Sequence, residues 1–428
     1  MTSEQFVLLA LQLSAMLIAA FAFARLFELI RQPPVLGEML AGVVLGPTLL
    51  GALFPGALDW LFPASGPVEI VRSGILKLGV LFFLFIIGLE IKLSDLRRYG
   101  RVALLIGLVG SSVPLVCGAG LVYLIPSLWP DLDPDHRRTY ALFIGAVLAM
   151  SANPVIARIL LDLKLLKHKI GTVILSSTVV DDLLAWGLFA LLLSEHQARH
   201  GAHEGRNPAL IVLLIGVFFI TLLLLGKYVA QPFLHRTKMH TRWPAGFLAI
   251  TTIIVLLTGA GGEILGIHAF LGAFVAGLAI APADEEQEDV FRVINDFALA
   301  FFVPIYFVSM GLRANFAAEF DLPLVALLTI VGCVSKIASV SGAARMGGLP
   351  WHESLAVGCG MNARGAIGII LTSMGLEYGI IDQRVYVALV TMSLVTSFMA
   401  GPLVKMCMAA RAGEGRLPGR EPGQGVAT

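Results

Sequence analysis

Charge is scarce in this chain, and that scarcity excludes most soluble readings. Asp, Glu, Lys and Arg supply 14% of the 428 residues, against about 25% in a typical soluble domain. The formal net charge is +1, so no polyanionic partner such as nucleic acid is expected. Cysteine is equally sparse. Cys117, Cys333, Cys359 and Cys407 lie in apolar segments, with no close pair in sequence and no His/Cys ligand spacing. That pattern predicts inert buried thiols, and no cofactor is expected. The first apolar run, 6–23, lacks a basic leader and an Ala-x-Ala cleavage site, so it reads as a retained helix and not a signal peptide.

What the chain has in abundance is apolar length. Hydrophobic residues make up 57%, gathered in runs of about 18 or more, long enough to span a bilayer as helices. Thirteen candidate spans follow, at approximately 6–24, 35–54, 74–91, 102–125, 139–160, 170–193, 208–226, 243–260, 264–281, 297–312, 322–345, 352–375 and 384–408. The eighth and ninth are separated only by Gly261, Gly262 and Glu263. Connections are short, with no inserted soluble domain. The segment 411–428, rich in Gly, Pro and charge, is expected to be a disordered cytoplasmic tail.

Basic residues orient the chain. With those at span ends counted with their loops, the loops after odd-numbered spans and the C-terminal tail hold 20 Lys and Arg, against 7 for the N-terminus and the other loops. The positive-inside rule then places the C-terminus in the cytoplasm and the N-terminus outside, for a protein of the plasma (inner) membrane. The acidic loop 283–296 dissents, but acidic residues count little in this rule.

Pairing spans 1–6 with spans 8–13 gives an odd offset, so the two six-helix halves would be inverted relative to each other, with the seventh span as a linker. The fifth span then matches the twelfth, and each carries an Asn beside a helix breaker: Ser151-Ala152-Asn153-Pro154 in one, Gly358 to Gly365 around Asn362 in the other. Proline removes a backbone donor and glycine favours non-helical backbone. Broken helices at corresponding places of two halves point to a transporter's binding site. The fold class is therefore an all-α polytopic membrane protein of thirteen transmembrane helices, built as two inverted repeats with crossed discontinuous helices.

Asp181 and Asp182 sit in the sixth span, within IGTVILSSTVVDDLLAWGLFALLL. A mid-bilayer carboxylate costs roughly 3 kcal/mol by insertion scales, which makes an intramembrane pair a candidate ion or proton site. A carboxylate in a partly hydrated cavity can hold a proton or, once ionised, offer oxygen ligands to a hard cation such as Na⁺. One site that takes either but not both suffices for exchange. Neighbours on a helix project about 100° apart, so one aspartate faces the broken helices while the other looks elsewhere. Lys336, in the eleventh span, is the evident partner for the second, either as a coupling element or as a tie between helices. Asn153, Ser151 and Thr178 are candidate neutral ligands or hydrogen-bond donors.

Arg364, at the twelfth-span break, either neutralises exposed carbonyls there or takes part in transport. His268 reads as a core histidine, with a proton relay as the alternative. Glu38 and Glu90 lie near span ends and read as interfacial. His196, His200 and His203 lack the partners that metal ligation needs.

Several segments together carry a family resemblance: QPPVLGEMLAGVVLGP (32–47), LFFLFIIGLEI (81–91), SSTVVDDLLAW (176–186), GIHAFLGAFVAGLAI (266–280), FFVPIYFVSMGLR (301–313) and GMNARGAIGII (360–370). They resemble the monovalent cation/proton antiporters, in the branch of thirteen-helix bacterial sodium/proton antiporters and potassium-efflux antiporters. The resemblance spans about residues 5–408 and implies a homodimer with an elevator-like core. On it, a transmembrane domain of 1–410 divides into a dimerisation part (about 1–95 and 240–315), a core transport part (about 100–195 and 320–408) and a linker helix (about 208–226).

The same resemblance makes Asp182 the carboxylate for which cation and proton compete, and pairs Asp181 with Lys336 as in electrogenic members that exchange two protons per cation. Potassium-efflux relatives typically carry Gln in place of Asp181. The chain departs from the family where Pro-Arg-Gly-Glu is common: it has Ala363-Arg364-Gly365-Ala366. Its Ala-Asn-Pro in the fifth span also differs from the Ser/Thr-rich version of many relatives. A C-terminal nucleotide-binding domain is expected to be absent.

The implied partners are a monovalent cation (Na⁺ foremost, with K⁺ or Li⁺ as alternatives), protons and membrane lipid. A secondary antiporter, not an enzyme, is the leading reading. A cation channel using the same site is the second. An intramembrane aspartyl protease is the third, disfavoured because its carboxylates would have to face each other from separate helices.

Overall fold

The computed structural model describes the chain except residues 31, 91–92, 130–131, 164, 166–167, 200–207, 231, 233–244, 266–268, 282–291 and 414–428. The described residues are helical with no strand. In order the helices are α1 (Ser3–Leu29), α2 (Pro34–Leu45), α3 (Leu50–Leu53), α4 (Pro55–Leu61), α5 (Pro67–Glu90), α6 (Leu93–Leu124), α7 (Arg137–Ala149), α8 (Asn153–Asp162), α9 (Lys169–Arg199) and α10 (Pro208–Leu225). There follow α11 (Ala245–Leu265), α12 (Ala269–Ile280), α13 (Val303–Arg313), α14 (Phe316–Glu319), α15 (Leu322–Met346), α16 (Trp351–Met361), α17 (Gly365–Glu377) and α18 (Gln383–Gly413). Among the described residues nine helices are long and apolar enough to cross a membrane, with shorter apolar ones at Gly216–Leu225, Ala269–Ile280 and Ile367–Glu377.

Several boundaries differ from the sequence reading. Helix α11 runs through Gly261 and Gly262 to Leu265, since glycine inside an apolar helix costs only about 1 kcal/mol. Helix α2 stops earlier than expected, at Gly46, which is extended at φ −93° and ψ −166°. Pro47 follows it, and the residue before a proline is driven out of the helical region. Helix α18 continues to Gly413, into the segment read as a tail; 414–428 lie outside the described residues.

Helices α6, α7, α9, α15, α16, α17 and α18 pack on one another, while α2 lies against α1 and α13, and α5 against α12. The second set is built on glycine. A Cβ at Gly37 would strike the Phe23 carbonyl of α1, and one at Gly42 would strike the Val308 carbonyl of α13. The arrangement recurs: Gly272 lies over the Thr258 carbonyl of α11 and Gly277 over the Phe85 carbonyl of α5. Both pairs sit in the pattern Leu-Gly-x-x-x-Ala-Gly, at 36–42 and again at 271–277. Each first glycine follows its carbonyl partner at the same interval, so the same local sequence makes the same helix pair twice.

Two readings are corrected here, the first being cysteine burial: of the four thiols only Cys359 is buried, the others being half-buried. Cys359 and Cys407, distant in sequence, bring their Sγ atoms to 3.8 Å, because α16 and α18 pack side by side. Glu38 is not interfacial but 7% exposed inside the packing of α2. The side chain of Glu90, with His268, His200 and His203, lies outside the described residues, as does the side chain of His196.

Candidate functional site

Two helices break at the centre of the molecule. The first ends at Ala149, leaves helical geometry over Met150–Ala152 and resumes at Asn153. The second ends at Met361 and resumes at Gly365, whose φ of +31° only glycine takes without strain. The breaks meet through their backbones: the Ala152 N–H donates to the Ala363 carbonyl at 2.7 Å. Each break frees backbone groups that water would satisfy elsewhere but that must find protein partners at this depth. Side chains meet that need. The Gly365 N–H donates to Ser397 Oγ at 2.9 Å.

Two buried cations serve the C-terminal end of α7, where exposed carbonyls concentrate negative partial charge. Lys336 Nζ, on α15, donates to the Ala149 carbonyl at 2.5 Å. Arg364 is wholly buried and donates to the Leu148 carbonyl from Nε (3.3 Å) and Nη2 (2.9 Å). It also donates to the Gly332 carbonyl at 2.7 Å and to Asn362 Oδ1 at 3.1 Å. Gly332 makes room for the guanidinium, since a Cβ there would stand 3.0 Å from Nη2. The carboxylate missing at Ala366 is thus replaced, around Arg364, by carbonyls and one carboxamide.

The aspartates on α9 are both buried, at 1% and 0% exposure, and diverge. Asp181 accepts from Lys336 Nζ at 2.5 Å, from Ser151 Oγ at 2.5 Å and from Ser111 Oγ of α6. Asp182 accepts from Asn153 Nδ2 at 2.8 Å. Thr178, one turn earlier on α9, donates to Asn153 Oδ1 and so fixes which edge of the carboxamide meets Asp182. Asn153 opens α8, so the positive end of that half-helix lies beside the Asp182 carboxylate.

The residues read from sequence therefore assemble at one crossing, each with its own partner. Asn153 reaches Asp182 directly, Thr178 acts through Asn153, and Ser151 serves Asp181. Asn362 bonds Arg364 and, through Nδ2, Cys333 Sγ at 3.2 Å, and is not brought to Asp182. Ser111 was missed, although its place in the otherwise apolar run LLIGLVGSSVPLVCG was a usable signal. Gly332, whose role lies in what it lacks, left no such signal. Among the described residues no group of three or more His, Cys, Asp or Glu side chains comes together as a metal centre.

Residues 15–410 match the family described as "Sodium/hydrogen exchanger, transmembrane". The chain is 32% identical to Cation/H(+) antiporter 20 of Arabidopsis thaliana, over 91% of its own length and 47% of the relative's, so it spans about half of that plant protein. It is 31% identical to Na(+)/H(+) antiporter NhaS4 of Synechocystis, covering 89% of this chain and 92% of that one. It is 28% identical to Na(+)/H(+)-K(+) antiporter GerN of Bacillus cereus, covering 89% and 91%. Its fold is similar to the sodium proton antiporter MjNhaP1 of Methanocaldococcus jannaschii, with a TM-score of 0.68 at 14% identity over 96% of this chain and 98% of that one.

Proposed function

Because the chain belongs to the sodium/hydrogen exchanger family, we propose that it is a secondary antiporter exchanging Na⁺ for protons, with cation and proton competing for Asp182. The observation that carries this reading is the divergence of the two aspartates. Asp181 is already matched by a buried ammonium, whereas the carboxylate of Asp182 meets a neutral amide held in place by Thr178. Once ionised, the Asp182 carboxylate offers the hard oxygen donors that suit Na⁺. A proton on Asp182 removes its charge and its affinity for the cation together. The second proton of a two-proton exchange is assigned to the Lys336–Asp181 pair, which makes transport electrogenic.

Movement follows the elevator scheme. Helices α6–α9 and α15–α18 form the moving core; α1, α2, α5 and α11–α13 form the static, dimerising part; α10 links them. The recurrence of the Leu-Gly-x-x-x-Ala-Gly packing supports an internal repeat; the inversion of its halves, the thirteen spans, the plasma membrane and the outside N-terminus rest on the loop charges and span order of the sequence. Potassium is the second reading, favoured by the ions in the names of GerN and of the yeast K(+)/H(+) antiporter 1, to which the chain is 29% identical. Proteoliposomes loaded with a pH-sensitive dye and pulsed with Na⁺, K⁺ and Li⁺ in parallel decide between them. Sodium is expected to drive the largest proton movement, and a response to K⁺ alone would reverse the assignment.

A further inference from the structure

Glu38 is a carboxylate where the packing calls for none. It lies in the first copy of the repeated pattern, Leu36-Gly37-Glu38-Met39-Leu40-Ala41-Gly42. The second copy makes the same glycine contacts with a buried Ala273 at the equivalent place. A methyl group is therefore enough to build this helix pair. Glu38 is 7% exposed, and its buried Oε2 takes no hydrogen bond among the described residues.

Among the described residues, the titratable groups on the elements packed against α2 are either engaged elsewhere or remote. On α1, Arg25 pairs with Glu28 at 2.9 Å, and Glu4 is exposed at the opposite end of that helix. On α13, Arg313 pairs with Glu377 of α17 at 3.3 Å, and Tyr306 is hydrogen-bonded with Ser373, also on α17. The short α3 carries no charge. A buried carboxylate without a counter-charge costs several kcal/mol if ionised, so in this packing it keeps its proton. A proton held by burial alone is released when water reaches the group. Helix α2 touches the broken helix α17, so displacement of α17 changes what covers α2.

We propose that Glu38 is a second proton-binding site, outside the Asp182 site, protonated in the packing described here and ionised in an arrangement that hydrates α2. This rests on the antiport reading for its link to transport, but not for the proton itself. Low pH favours the dry packing; rising pH favours the hydrated one.

Two readouts test it. Infrared difference spectra of the reconstituted protein across a pH titration should contain a carbonyl band of a protonated, buried carboxylic acid. Glu38→Gln, which keeps the shape of the protonated acid, and Glu38→Ala, which copies Ala273, should both lose that band, while Asp182→Asn retains it. In proteoliposomes Glu38→Gln should exchange within about twofold of wild type at acid pH and lose the wild-type change in rate as pH rises. A band retained in both Glu38 variants would overturn the proposal, as would a Glu38→Gln pH profile coinciding with wild type throughout. Absence of exchange from wild type itself would count against the antiport reading and leave the infrared test standing.

Discussion

Lys336 and Asp181 meet at 2.5 Å with both side chains wholly excluded from solvent, and the same ammonium takes the Ala149 carbonyl at the end of α7. One cation thus joins the aspartate helix to the broken helix. Removing it strands a buried carboxylate and an orphaned carbonyl, and breaking one member of a buried pair costs about 3–5 kcal/mol. Lys336→Ala should therefore lower the melting temperature in detergent markedly, and Asp181→Asn added to it should recover part of the loss. The same variants should change pH dependence and electrogenicity more than they abolish exchange. A potential-sensitive dye showing no voltage dependence in wild type would end the two-proton stoichiometry.

Arg364 tests whether a cation or a fork is needed at the crossing. Its bonds run to the carbonyls of Leu148 and Gly332 and to Asn362, from three different nitrogens. A lysine keeps the charge but not the planar fork. Arg364→Lys should therefore lose stability by about 1–3 kcal/mol, the cost of a buried carbonyl left unpaired, as read from thermal melting. Equal stability of Arg364→Lys and wild type would show that charge alone suffices.

Glu377, at the end of α17, faces Lys77 of α5 at 3.7 Å and Arg313 of α13 at 3.3 Å. In the elevator scheme these ion pairs cross from the moving part to the static part and must break in each cycle. All three side chains are at least one-third exposed, so each pair is worth about 1 kcal/mol or less. Glu377→Gln removes both pairs, so it should raise the exchange rate by a factor of at most about thirty and make it less sensitive to ionic strength. A slower variant would show that these contacts guide the motion instead of resisting it.

Asp321 provides a pH test outside the spans. The Leu324 N–H donates to its Oδ1 at 3.0 Å, and this bond, aided by Arg384 at 2.6 Å, holds the carboxyl below its ordinary value of 3.8. A carboxyl depressed in the folded state stabilises it above the unfolded value and loses that contribution as pH falls through the folded one. Wild type should lose stability on acidification below about pH 4, and Asp321→Asn should flatten that part of the curve. Parallel curves for the two proteins would remove Asp321 from the acid response.

The reach of sequence reasoning followed the physics of each feature. A carboxylate or ammonium in an apolar run is conspicuous because hydrocarbon penalises it, so Asp181, Asp182, Lys336 and Arg364 stood out. The two breaks were marked by Pro154 and by the glycines around Asn362. Which polar group meets which aspartate depends on side-chain direction across helices, and this is why Ser151 was read without a specific partner and Ser111 not at all. The Cys359–Cys407 approach is likewise a product of packing, as is the burial of Glu38, whose position near a span end hid how tightly glycine draws α1 and α13 around it.

The central claim is that cation and proton compete for Asp182, and proton movement in proteoliposomes tests it most directly. A Na⁺ pulse to acid-loaded vesicles should release luminal protons with the wild-type chain and release none with Asp182→Asn, the variant being confirmed as folded by its melting curve. Exchange at the wild-type rate from Asp182→Asn would contradict the account.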